Sequence, residues 1–289
     1  MPITAPRASH PTTSGVVSIL AASLAFSWGF VLVKALGLPV ATIAGWRLLI
    51  GAAALTLAIA LLRPRERGPF LPVLGAGVCF GLHQLAFIAA THRTSIAVVT
   101  LVGALQPLLL GLTSRASGPR RAPLYLWSLL AAAGVALVVL GKHDERSRSL
   151  FGDGLAVVNL GLYSAYYLFS KRARETGWAT LLLTRNTFAI SLAVVAPAWF
   201  LAPSLSPPGA REWGALFVLA LVPGNGHLLV NWALPRVSAA LGSIVLTAVP
   251  LLASLWAHLI FDEPYGPRHW VGMGLVALAI EGARRVEAS

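Results

Sequence analysis

His83 and His227 stand inside long apolar runs, and each shares a helical face with an amide: Gln84 in the first case, Asn231 in the second. Phe80, His83, Gln84 and Phe87 follow i, i+3, i+4, i+7 spacing, while His227 and Asn231 follow i, i+4, so each set occupies one side of a helix. Imidazole titrates near neutrality and can move a proton, bind a metal or hydrogen-bond a solute. A third stripe carries Asn159, Tyr163, Tyr166 and Ser170, and a fourth Ser23, Ser27 and Trp28. Amides and hydroxyls set among rings can hold a polar or zwitterionic solute while the rings cover its apolar part. The expected substrate-binding set is therefore His83, Gln84, His227, Asn231, Asn159, Tyr163 and Trp28. The competing reading is that each histidine merely fastens neighbouring helices.

Metal chemistry is not expected from these residues. His258 lies near the end of its run, no carboxylate is close in sequence to His83 or His227, and Cys79 is the sole cysteine. Neither a metal nor any other cofactor is predicted. Arg47 and Arg185, also inside apolar runs, are expected to lean toward headgroups. Trp127, Trp178, Trp199, Trp213 and Trp270 are assigned to an interfacial belt.

The elements that must position these groups follow from composition. Of 289 residues, 57% are hydrophobic and 11% charged, against about 25% charged in a soluble domain. Since a membrane helix takes about 20 apolar residues, ten crossings use ~200 and leave only short loops. Helices are predicted at about 15–34, 40–62, 69–91, 94–113, 123–141, 152–171, 179–201, 212–233, 237–260 and 268–286. Pro223-Gly-Asn-Gly226 is expected to break or kink the eighth, just before His227, and Gln106-Pro107 the fourth. The run from Gly15 to Val33 is longer than a signal-peptide core and is read as a retained first span. The fold class is thus all-α and integral to the membrane.

The net charge of +12 does not call for nucleic acid, because basic residues at the cytoplasmic ends of membrane helices give the same sum. With both termini inside, most of the basic residues fall in cytoplasmic segments, among them Arg63, Arg65, Arg67, Arg120, Arg121 and Arg172. A shift of 143 residues superposes Arg93-Thr-Ser95 on Arg236-Val-Ser238, Pro107-Leu-Leu on Pro250-Leu-Leu and Trp127 on Trp270. Gapped extension pairs Arg47 with Arg185 and Lys34 with Lys171. Each half holds an odd number of helices, so the second copy enters from the opposite side: an inverted repeat. The expected divisions are a cytoplasmic tail over 1–14, a first repeat over 15–141 and a second over 150–286.

Trp28-Gly-Phe30, Trp46-Arg-Leu48 and Thr94-Ser-Ile-Ala97 leading to Pro107 resemble the pattern of the EamA branch of the drug/metabolite transporter superfamily. Gly152-Asp-Gly154, Tyr163-Ser-Ala-Tyr166, Lys171-Arg172, Arg185, Ser238-Ala-Ala240, Pro250 and Glu263 resemble its second copy. The acidic residue usual after the fourth helix is replaced here by Ser117-Gly-Pro-Arg-Arg121. The resemblance implies a transporter with the central helices lining the path, and amino acids as the leading substrate class.

The function expected from the sequence is secondary transport, outward, of a small organic metabolite across a bacterial-type inner membrane, by alternating access. The partners expected are that small molecule, the lipid bilayer and, through His83 or His227, protons; exchange without a coupling ion is equally compatible. No Walker loop encodes ATP drive. The rivals are a membrane enzyme using the buried histidines, disfavoured because HExxH and GxSxG are both absent, and a scaffold without flux.

Overall fold

The computed structural model describes residues 13–113, 121–139, 149–202, 208–261 and 265–288. All regular structure among them is helical: α1 (Thr13–Ala35), α2 (Val40–Leu62), α3 (Phe70–Arg93), α4 (Ile96–Gly103), α5 (Gln106–Thr113), α6 (Arg121–Val139), α7 (Leu150–Glu175), α8 (Thr180–Phe200), α9 (Ala210–Ala233), α10 (Ala239–Leu246), α11 (Ala248–Phe261) and α12 (Pro267–Ala288). Among the described residues seven helical segments are long and apolar enough to cross a membrane, one of them running from α10 into α11. Large apolar side chains such as Leu61, Leu71 and Leu126 face outward, which suits a multi-pass protein whose outer solvent is hydrocarbon.

Prolines and serines set the helix starts. Pro39 and Pro69 precede α2 and α3, where a fixed φ and a missing donor do no harm. Ser95, Ser149 and Ser238 cap α4, α7 and α10, each hydroxyl accepting from the backbone N–H three residues on. Gly177, at φ 102°, makes the turn between α7 and α8, a conformation that a side chain would strain.

The structure divides two of the predicted helices. The fourth run breaks at Ala104-Leu105 into α4 and α5, and the ninth at Thr247 into α10 and α11. Proline follows each break: Pro107 cannot donate to the Gly103 carbonyl, nor Pro250 to that of Leu246. By contrast α9 runs unbroken through Pro223, contrary to the expected interruption. Gly224 and Gly226 both follow Pro223, and the helix carries on through them to Ala233.

Packing pairs α1 with α9, α3 with α7, α2 with α8, and α6 with α12. At α6–α12 the backbones come very close, since a Cβ on Gly134 would lie 2.8 Å from the Gly272 carbonyl oxygen. Val16 and Ile19 near the start of α1 share one apolar cluster with Ala283 and Val286 near the end of α12. Both ends of the described chain therefore lie at the same end of the bundle, here called the terminal end. A second cluster joins the end of α1, the start of α2 and the start of α9 at the opposite end.

Candidate functional site

A cavity of about 140 Å³ lies at mid-depth, with walls from both halves of the chain. His83 and Gln84 reach it from α3, Asn159 and Tyr163 from α7, and His227 from α9. Rings join the two histidines. The Phe80 centroid is 5.5 Å from that of His83 and 4.5 Å from that of His227, while Tyr163 stands 4.8 Å from His83. Phe26 closes on the far side of His227, centroids 4.6 Å apart. The imidazoles thus sit in an aromatic frame that fixes their planes and keeps lipid away.

Two members of the predicted set lie elsewhere. Asn231 is fully buried between helices, where its Nδ2 donates to Thr184 Oγ1 at 3.0 Å and its Oδ1 accepts from the Tyr166 hydroxyl at 3.4 Å. It ties α9 to α8 and α7. Trp28 packs on Trp256, centroids 4.9 Å apart, and the neighbouring Ser27 hydroxyl accepts from Trp256 Nε1 at 2.9 Å. One helical turn separates Asn231 from His227, yet α9 is crossed by α8 at that depth, which takes Asn231 out of the cavity wall.

Arg47 corrects the expectation for the membrane arginines. It does not lean toward headgroups: it is 6% exposed, lines the cavity and donates from Nη1 to Gln84 Oε1 at 2.7 Å. Trp178, assigned to the belt, is likewise buried, with its Nε1 donating to the Pro69 carbonyl; Trp270 is 63% exposed. Sequence reasoning also missed Gln106 and Thr100, contributed to the cavity by the broken α4–α5 pair. For Arg47 a signal was present, because an ionisable residue within a span is itself grounds for suspecting a site.

On α7, Tyr166 and Tyr167 lie about one turn beyond Tyr163, toward the terminal end. Tyr166 and Tyr167 are fully buried, and the Tyr167 hydroxyl rests so near the bare backbone of Gly242 that a Cβ there would overlap it. One turn further along α7, Lys171 Nζ donates to the carbonyls of Leu234 and Val237 at 2.7 and 2.9 Å. Arg174 Nε donates to the Asn231 carbonyl, and the Ser238 hydroxyl donates to Glu287. At the opposite end Thr94 Oγ1 donates to Asp153 Oδ1 at 2.6 Å, joining the start of α4 to the start of α7.

Such an arrangement can enclose a small molecule between an aromatic wall and a few polar groups. It offers no group of three or more His, Cys, Asp or Glu able to hold a metal among the described residues. A solved structure, described only as a crystal structure of a protein, aligns with TM-score 0.76 over 95% of this chain and 97% of that one, at 20% identity. That likeness shows the fold. No curated protein matches the chain in sequence. Residues 150–282, the segment that contributes Asn159, Tyr163 and His227 to the cavity, match the model of the EamA-like transporter family.

Proposed function

We propose that the protein is a secondary transporter that moves a small organic metabolite, with amino acids the leading class, outward across a bacterial-type inner membrane. The observation that carries this reading is the mid-depth cavity, walled by helices of both halves and lined by buried imidazoles and amides. A membrane protein without flux has no use for a space lined by buried amides and imidazoles, which are costly in hydrocarbon. Here α4 with α5, and α10 with α11, each count as a single crossing, which makes ten. The halves 15–141 and 150–286 are then inverted repeats. Three features support this: the serine caps at 95 and 238, the breaks before Pro107 and Pro250, and the pairing of α1 with α9 as α3 pairs with α7. In this reading residues 1–14 form a cytoplasmic tail, and both termini lie inside.

Alternating access then consists of rocking one half against the other around a fixed site. His83, Gln84, Asn159, Tyr163 and His227 contact the solute, Asn231 and Trp28 support the walls, and His83 or His227 is the candidate for proton coupling. Purified protein in sealed vesicles, given labelled amino acids and nucleosides, tests the reading. Unchanged substrate moving down its gradient supports transport. Chemical conversion supports a membrane enzyme instead, and silence across the panel supports a scaffold.

A further inference from the structure

Arg47 carries a full positive charge into a place that holds nothing acidic. A guanidinium keeps its proton in proteins, so the charge cannot be removed by deprotonation. Among the described residues the carboxylates are Glu66, Asp153, Glu175, Glu212, Glu281 and Glu287, and all but Glu281, two turns inside α12, lie within a turn of a helix end or between helices. Most of these are engaged there, Asp153 by Thr94, Glu175 by Lys171, Glu281 by Arg284 and Arg285, and Glu287 by Ser238. None lines the cavity. One neutral amide oxygen, that of Gln84, does not balance a buried cation.

The groups around Arg47 have the matching polarity. Because a guanidinium only donates, the oxygen of the Gln84 amide must face it, and the Nε2 group is left buried with no partner. Gln106 Nε2 is buried without a partner as well, and both glutamines line the cavity. A guanidinium with one amide donor beside it and a second in the same cavity is suited to carboxylate oxygens, whose planar pair matches the guanidinium fork. Phe26, Phe30 and Phe87 supply an apolar wall in the same space. Elsewhere in the wall Asn159 Oδ1 is a buried acceptor with no partner, and the Gly103 and Leu246 carbonyls lack the donors that Pro107 and Pro250 cannot supply. An ammonium group on the same solute would meet acceptors there.

We infer that Arg47 is the carboxylate-recognising residue of the cavity, and that the solute is a small organic acid or zwitterion whose carboxylate supplies the missing counter-charge. This inference rests on the transport reading for its purpose but not for its test, which reads binding alone. The purified protein in detergent is titrated with L-phenylalanine against L-phenylalaninamide and with benzoate against benzamide, following heat of binding and thermal midpoint. The acid of at least one pair should bind about tenfold or more tightly than its amide. Arg47→Gln should erase that preference. Gln84→Glu, which places an internal carboxylate against the guanidinium, should erase it too while leaving the midpoint unchanged or higher, so it decides the matter if Arg47→Gln does not fold. Binding of neither acid, equal binding of acid and amide, or a preference that survives Gln84→Glu overturns the inference. Flux of neutral solutes in vesicles, independent of Arg47, would leave transport standing while removing this role; acid binding without flux would do the reverse.

Discussion

His227 and Asn231 are one turn apart on α9 and serve different ends, which mutation can separate. His83→Ala and His227→Ala should each reduce flux in vesicles while membrane abundance stays level; undiminished transport by the double variant removes both from the path. Asn231→Leu leaves Thr184 and Tyr166 without their shared partner. It should lower the thermal midpoint, at a cost of about 0.6–2 kcal/mol, with the KM of any transported solute unchanged. At this scale the sequence was readable in part. The spacing of Phe80, His83 and Phe87 places them on one face, and the structure puts those rings together. Arg47 was misread because distance from a helix end predicts reach to the headgroups, whereas its surroundings depend on what packs at that depth. Hydropathy holds no record of Gln84 lying opposite.

Helices were legible from apolar runs, because lipid demands that each crossing satisfy its own backbone. Their interruptions were legible in part. The break expected at Gln106-Pro107 occurs between α4 and α5, the one expected at Pro223 does not interrupt α9, and the one before Pro250 was not foreseen. Pro107→Ala returns a donor to the Gly103 carbonyl. It should raise the midpoint, with about 1 kcal/mol from the recovered bond, and slow transport by stiffening the α4–α5 joint. The α6–α12 contact gives a different expectation. A side chain at Gly272 runs into the Gly134 carbonyl, 2.6 Å from where its Cβ would stand. Gly272→Val should force the pair apart and cost about 1–3 kcal/mol, read as a fall in thermal midpoint.

For the molecule as a whole, the close contact of Tyr167 with Gly242 near the terminal end is the expected barrier on that side. Gly242→Ala displaces the tyrosine ring and should bias the population toward opening at the terminal end. With Cys79 replaced by serine and a single cysteine placed at His83, a membrane-impermeant thiol reagent should then react faster from that side than in the same protein with Gly242. Equal rates would show that Tyr167 is not the barrier.

The lone guanidinium in the wall has an electrical consequence. If the carboxylate of a net-anionic solute neutralises it, the loaded site is uncharged and crosses the field without work, while the empty site carries one positive charge back; the ammonium of a zwitterion keeps the loaded site at the same charge as the empty one. A potential acts on that return by about 2.3 kcal/mol per 100 mV. An interior-negative cell would draw the empty carrier inward and so favour net exit of the acid. Imposing a potassium diffusion potential on loaded vesicles should therefore drive net flux of an organic acid and leave that of a zwitterion unchanged.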